Sequence, residues 1–185
     1  MRVEIHHGDA LSVLRLLPGD SVHCVVTSPG YWGLRAYLPD GHPDIKLEIG
    51  REETPAVWCA RLVEVFREVR RVLHPSGTLW INVGDAYSVG TNAGRRYSKN
   101  HNLNHGYWSE EHGDIRRNVP GLKAKNMIGL PWRLAFALQA DGWILRSDII
   151  WSKTNAMPSS VTDRPALAHE YLFLLSKYPK YYFDS

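Results

Sequence analysis

An apolar run ending in a stiff polar turn constrains the fold of this chain more than any other feature. Val22-His23-Cys24-Val25-Val26 has the short, β-branched composition of a strand buried on both faces, as a central parallel strand would be. Thr27-Ser28-Pro29-Gly30-Tyr31 follows directly. In open α/β sheets the carboxyl edge of the strands is where ligands bind. A hydroxyl, a fixed main-chain carbonyl and a flat ring at that edge suit gripping an amino group on an aromatic base. A strand-ending turn, for which Pro and Gly are the usual residues, is the plain alternative.

Strand and helix patterns alternate along the rest of the chain, which points to a largely parallel α/β sheet. Val3 and Ile5 alternate with polar neighbours and predict a half-buried edge strand. Gly8-Asp9 turns into a helix over Ala10 to Leu17, ended by Pro18-Gly19. Thr54 as N-cap and Pro55 at the first helical position open a second helix. Its stripe of Trp58, Leu62, Val65, Phe66, Val69, Val72 and Leu73 reads as core, with Arg and Glu filling the solvated face. His74-Pro75-Ser76-Gly77 stops it, and Thr78 to Val83 is the next strand. Leu130 to about Ala140 is a helix, Trp143 to Trp151 a long strand, and Tyr171 to Leu175 a strong last strand. Tyr181-Tyr182-Phe183 reads as a further short one. No repeat or domain boundary interrupts this order, so residues 1–185 read as one domain.

At 185 residues, 44% hydrophobic and 22% charged, the chain has ordinary globular composition and can bury a core. Cys24 and Cys59 give no disulfide framework and read as small buried hydrophobes in a reducing compartment. No run approaches the ~18 apolar residues of a membrane span, and Met1-Arg2-Val3-Glu4 lacks a signal peptide's apolar core. A soluble cytoplasmic protein is expected.

Between about 86 and 127 the apolar periodicity disappears. Seven basic residues (Arg95, Arg96, Lys99, Arg116, Arg117, Lys123, Lys125) face three acids there, so the net charge of +3 is concentrated in this segment. Basic charge interleaved with Tyr97, Tyr107 and Trp108 suits a loop that tracks a phosphate backbone and offers stacking surfaces. A solvated, disordered insertion fits the composition equally well. His101, His105 and His112 lack the cysteines or paired carboxylates that would make a metal site, and none is expected. The chain also lacks G-x-S-x-G, G-x-x-x-x-G-K, the H-x-E with P-C-x-x-C deaminase signature, and G-x-G-x-x-G opening a helix. Neither cysteine lies in a Pro-Cys turn, so covalent attack on a cytosine ring is not expected.

Taken in order, these pieces resemble the N4-cytosine/N6-adenine DNA methyltransferases of the permuted beta class. The resemblance is carried by Gly8-Asp9-Ala10-Leu11, Thr27 to Arg35, Gly77 to Asp85 and Gly129-Leu130-Pro131-Trp132-Arg133. It continues through Asp148 to Lys153, Asp163-Arg164-Pro165 and His169-Glu170-Tyr171. It covers nearly the whole chain except the basic insertion. The fold it implies is the Rossmann-like α/β sheet of S-adenosylmethionine-dependent methyltransferases. The activity it implies is methyl transfer to an exocyclic amine of a flipped base in double-stranded DNA, in restriction-modification. Cytosine N4 is favoured over adenine N6, because serine stands at the first acceptor position.

The resemblance implies a role for each residue of the turn. An exocyclic amine is a poor nucleophile, its lone pair being delocalised into the ring. The Ser28 hydroxyl and the Pro29 carbonyl would accept its hydrogens and free that pair, and Tyr31 would stack on the extruded base. Trp32 would wall the base pocket or simply pack. Asp9 matches the position that accepts from the cofactor's adenine amino group, although an Asp there is also a natural helix N-cap. Lys153, Arg164, His169 and Glu170 match family positions. Lys153 joins Arg95, Arg96, Lys99, Arg116 and Arg117 as the expected DNA-binding set, while His169 and Glu170 also suit a structural hydrogen-bonding pair.

Two departures stand out. The family usually has a second proline where this chain has Gly30, so the turn is expected to be less preorganised and activity reduced, with proline at 30 restoring it. The F-x-G-x-G cofactor loop is also absent: none of Phe66, Phe136, Phe173 or Phe183 begins it. In the family's sheet order, 3-2-1-4-5-7-6, residues 2–7, 22–27, 78–83, 143–151 and 171–176 match strands 3, 4, 5, 6 and 7. Strands 1 and 2 have no counterpart. The chain is therefore expected to be the catalytic part of a methyltransferase, completed by a second polypeptide, a lost C-terminal segment or a homodimer. Its alternative is a catalytically inactive DNA-binding subunit, and an RNA or protein amine methyltransferase is a further enzyme reading.

Overall fold

The computed structural model describes residues 3–34, 37–39, 41–88, 119–156 and 161–184. Helix α1 spans Ala10–Leu16 and strand β1 Val22–Thr27. Helix α2 spans Pro55–Val72, strand β2 Leu73–Val83, helix α3 Leu130–Ala140, strand β3 Ile144–Ser152 and strand β4 His169–Ser176. Helix α2 starts as its sequence dictates: Thr54 accepts from the Val57 amide, and Pro55 occupies the first turn, where a missing N–H costs nothing. Helix α3 has no side-chain cap of its own. Its first amides are satisfied from the end of β2, where Asp85 accepts from the Gly129 and Leu130 N–H groups at 3.0 and 2.9 Å.

The four strands form one mixed sheet in the order β1-β2-β4-β3. Strands β1 and β2 are parallel, while β4 runs antiparallel to both of its neighbours. The observed order is the 4-5-7-6 part of the order implied by the resemblance. The register pairs Val25 with Leu79, Ile81 with Phe173 and Leu145 with Leu175, which stacks apolar side chains on one face. Helices α2 and α3 cover that face, packing Trp58, Leu62, Phe66, Leu134 and Leu138 against Leu79, Ile81, Val83, Phe173 and Leu175. Period-2 strands against period-3.6 helices make this a two-layer core. An ion pair at 2.6 Å between Arg67 of α2 and Asp141, the C-cap of α3, ties the helix layer together.

Several expectations are corrected. Strand β1 lies at an edge rather than at the centre, and its Val26 is 73% exposed on the face that α2 and α3 leave bare. Cys24 shares that face and is exposed, so only Cys59 is the buried small hydrophobe expected. Residues 3–7 form no strand: Val3 and Ile5 are 75% and 88% exposed and pair with no sheet edge among the described residues. The His74-Pro75-Ser76-Gly77 stretch already belongs to β2, in an irregular segment where the register with β1 shifts. Val63, not Val65, completes the buried stripe of α2. Tyr181-Tyr182-Phe183 is not a strand, although the Tyr182 amide donates to the Ser76 carbonyl at 2.9 Å.

The described ends of the basic insertion are held together as a neck. Tyr87 and Met127 form an antiparallel bridge, and Ser88 exchanges main-chain hydrogen bonds with Lys125 and Asn126, both at 2.8 Å. Residues 89–118, including Arg95, Arg96, Lys99, Arg116 and Arg117, lie outside the described residues. No helix of the described chain is long and apolar enough to cross a membrane.

Burial pushes the Cys59 thiol up to about 11, only partly offset by the nearby Arg133 charge. Titration of the native chain with a disulfide reagent at pH 8 should therefore give one fast thiol, Cys24. Cys24→Ser should remove that phase and leave Cys59 reacting only on unfolding.

Candidate active site

The turn after β1 is built by close backbone packing. A Cβ added at Gly30 would lie 2.4 Å from the Ile49 carbonyl oxygen, and one at Gly50 would lie 3.0 Å from the Tyr31 carbonyl oxygen. The two segments therefore lie back to back with no side chain between them. The Gly33 amide donates to the Gly50 carbonyl at 2.8 Å, and the Trp58 indole N–H donates to the Gly30 carbonyl at 2.9 Å. Gly50 has φ +111°, which glycine alone adopts easily.

Two buried carboxylates hold the segment behind the turn. Glu52 accepts from the Gly50 amide at 2.8 Å and from Arg61 at 3.0 Å, while Glu48 accepts from the Tyr37 and Leu38 amides and from Arg51. Arg61 also donates to the Leu47 and Glu48 carbonyls. These contacts correct the expectation of a loosened turn at Gly30. The residue does not loosen the loop; its lack of a side chain is what lets Ile49 and Gly50 clamp it. The two readings of Trp32 are also decided. At 1% exposure, with its indole N–H on the Glu52 carbonyl at 2.7 Å, it is a core residue and presents no surface to a base.

Ser28 emerges exposed beyond the end of β1, and Tyr31 is half-buried behind it. The Tyr31 hydroxyl donates to Asn82 Oδ1 at 2.8 Å and lies 3.2 Å from Glu170 Oε2. Ser28 Oγ donates toward Tyr31 at 3.3 Å and Asn82 at 3.4 Å. Lys153 pairs with Glu170 on the far side. The Tyr31 ring lies against Gly84, where a Cβ would approach it to 2.8 Å. Burial, outweighing the Ser28 contact and reinforced by the Glu170 carboxylate, pushes the Tyr31 phenol above its ordinary value. Burial alone would raise Glu170 too, but Lys153, Tyr31 and Asn82 together hold its carboxyl below the usual range.

The cluster draws on the ends of β1, β2, β3 and β4, so the sheet itself sets its geometry. Asn82 is the residue that sequence reasoning passed over. Its signal was a polar side chain near the carboxyl end of an otherwise apolar strand, Leu79-Trp80-Ile81-Asn82-Val83.

The remaining expected site residues are placed differently. Asp9 is the N-cap of α1: its Oδ1 accepts from the Ser12 amide and hydroxyl, both at 2.9 Å, and it is exposed. Lys153 is committed to Glu170 rather than standing free on a basic surface. His169 makes an edge contact with the Tyr171 ring at 5.3 Å, not a pair with Glu170. Asp163 and Arg164 clasp the neck of the basic insertion, Asp163 through Lys125 at 2.5 Å and Arg164 over the Tyr87 ring at 3.8 Å. Among the described residues no cluster of His, Cys, Asp or Glu could hold a metal.

With this arrangement the chain belongs to the N6/N4 DNA methylase family, whose model, described as DNA methylase, matches residues 22–185. It is 52% identical over 181 residues to the type II methyltransferase M.XycI of Xanthomonas campestris pv. cyanopsidis, covering 97% of this chain and 56% of that protein. The type II methyltransferase M.SmaI of Serratia marcescens is 49% identical over 178 residues, at 96% and 56% coverage. The chain thus spans just over half the length of these curated relatives. Among solved structures, a Thermus thermophilus protein described as a putative DNA modification methylase and crystallised with S-adenosyl-L-methionine superposes with a TM-score of 0.57. It is 26% identical, covering 96% of this chain and 54% of that one. The cytosine-N4-specific PvuII DNA methyltransferase shares the fold, with a TM-score of 0.58 at 16% identity, over 94% of this chain and 49% of its own.

Two outcomes follow from the turn and the cluster. Gly30→Pro should lower the melting temperature and alter the near-ultraviolet signal of Trp32 and Trp58, because its Cβ must displace the Ile49 carbonyl. An unchanged melting temperature would contradict the packing. For Glu170 the depressed folded value means its stabilisation is complete above the ordinary glutamate value of about 4.3. That contribution is lost as pH falls through the lower folded value. Denaturant unfolding of native and Glu170→Gln chains should differ by a constant amount above the ordinary glutamate value. The difference should shrink as pH falls from there and vanish below the folded value.

Proposed function

We propose that this chain forms the base-gripping part of an S-adenosylmethionine-dependent type II DNA amino-methyltransferase. The observation that carries this reading is the exposed Ser28 hydroxyl, held at a sheet edge by Tyr31 and Asn82 beside the Pro29 carbonyl. Ser28 Oγ and the Pro29 carbonyl accept the two hydrogens of the target amine, drawing its nitrogen toward tetrahedral geometry and freeing the lone pair. Tyr31 supports the extruded base and offsets part of an unstacking cost of a few kcal/mol. When bound, the cofactor supplies an electrophilic sulfonium methyl, and alignment with the amine supplies most of the rate. Asp9 has the chemistry to hold the adenine amino group, an exposed carboxylate with Ser12 engaging only Oδ1. Serine at the first acceptor position favours cytosine N4 over adenine N6.

The basic segment at 86–127 is assigned to the DNA backbone, with Arg95, Arg96, Lys99, Arg116 and Arg117 contributing charge. Its described ends are joined by the Tyr87–Met127 bridge, three residues beyond Gly84, which lies against the Tyr31 ring. Double-stranded DNA is the expected partner, and the cytoplasm the expected location.

The open edge of β1 favours a second polypeptide. Val26 is exposed beside it, and among the described residues no strand pairs with that edge. An unpaired strand edge invites pairing with another chain, so the remaining strands and the cofactor loop would come from a partner polypeptide or another segment. A subunit that binds DNA without methylating it is the reading in which no such partner restores activity.

The test is labelled methyl transfer to DNA by the purified chain, alone and with a polypeptide carrying the rest of a type II relative. Transfer only in the mixture, abolished by Ser28→Ala, is the expected result. DNA binding with no transfer in either case would identify the inactive subunit.

A further inference from the structure

The hydrogen bonds in the cluster around Tyr31 have a direction. Asn82 Nδ2 donates to the Tyr171 carbonyl at 3.3 Å, which turns Asn82 Oδ1 toward the hydroxyls. Glu170, engaged by Lys153 through Oε1, presents Oε2 to Tyr31. Two acceptor oxygens thus face inward, and the hydroxyls of Tyr31 and Ser28 are the donors within reach. An ionised carboxylate has no hydrogen to give. Both hydroxyl hydrogens are therefore drawn toward Asn82 and Glu170, and the lone pairs of Ser28 Oγ are left on its exposed side. A target amine offers hydrogens, so it needs Ser28 in this orientation and not the reverse.

We propose that Glu170 and Lys153 are positioning residues that set the direction of this hydrogen-bond chain, so that Ser28 meets its substrate as an acceptor. Neither reaches the substrate. Glu170 acts through Tyr31, and Lys153 acts by keeping Glu170 ionised and engaging its outer oxygen. The assignment rests on the amine-methylating function proposed above.

Glu170→Gln is the informative variant. Lys153 attracts the new amide oxygen, so the amide nitrogen turns to Tyr31 and competes with Ser28 for the phenol oxygen. Adding Lys153→Met removes that attraction and lets the amide oxygen face Tyr31 again. In the complemented enzyme, Glu170→Gln should lower kcat by about 10- to 100-fold, the scale of one hydrogen bond to a charged group. KM for DNA should change less than about threefold, because no DNA contact is lost. The double variant Lys153→Met/Glu170→Gln should recover part of kcat, which a purely structural ion pair would not do.

A second readout needs no catalysis. Phenol ionisation in the chain alone, followed by ultraviolet difference absorbance and assigned by comparison with Tyr31→Phe, should occur at lower pH in Glu170→Gln. An unmoved Tyr31 titration would overturn the proposal, as would loss of activity appearing only in KM. If Tyr31 titrates as expected but the native chain with its complement transfers no methyl group, it is the function that fails, not the network.

Discussion

The contact between Gly30 and the Ile49–Gly50 backbone is the constraint on which the rest of the site depends. With a Cβ position only 2.4 Å from a carbonyl oxygen, nothing larger than glycine fits without movement of main chain. That approach brings Trp32 into the core and places its indole on the Glu52 carbonyl. It also lets Gly33 and Trp58 hydrogen-bond the two strips together. Arg61 and the buried carboxylates Glu48 and Glu52 then fix the second strip to α2. A buried carboxylate is tolerated only when its oxygens are satisfied, and here main-chain amides and guanidinium groups satisfy them. In this chain the turn is held by packing against Ile49 and Gly50.

From this anchor the chemistry runs across the sheet. Ser28 and Tyr31 follow β1, Asn82 lies at the end of β2, Lys153 follows β3 and Glu170 begins β4. The reversal of β4 is what makes this possible. Because it runs antiparallel to β2 and β3, its first residues lie beside the last residues of its neighbours: Val83 opposite Tyr171, and Trp151 opposite Glu170. A parallel strand in that position would bring its carboxyl end there, and Glu170 would lie at the opposite edge.

The helices, the strands and much of their order were legible in the sequence because local rules govern them. Thr54-Pro55 capped α2 as its chemistry requires, and the apolar runs became β1 to β4. What was misread depends on contacts between distant residues. Gly30 read as freedom, because glycine's backbone entropy is visible in a sequence and the Ile49 carbonyl packed against it is not. Trp32 could wall a pocket or fill a core, and only the Glu52 carbonyl decided between them. Lys153 read as surface charge until Glu170, a sequence-distant partner, claimed it. Asn82 was quoted within its motif without a role, since its amide acquires one only when β4 brings Tyr171 and Glu170 alongside. For Val26 and Cys24, composition implied burial on two faces, and the exposed face reflects which elements pack there rather than what the residues prefer.

The two sides of the sheet are covered to different extents. The half of the sheet from β2 to β4 is sealed by α2 and α3, and its site side chains are cross-linked by hydrogen bonds to four strand ends. Toward β1 the cover thins: α1 buries none of its residues fully and is tied on through Arg71, which donates to the Leu14 and Leu17 carbonyls. Residues 3–7 run exposed beyond it. Among the described residues, Ser28, Tyr31, Asn82 and Glu170 are held by one another, by Lys153 and by the Tyr171 carbonyl, and not by α1 or residues 3–7. The hydrogen-bonded cluster is thus built by the ends of the four strands, and the thinly covered β1 side adds no further partner to it among the described residues.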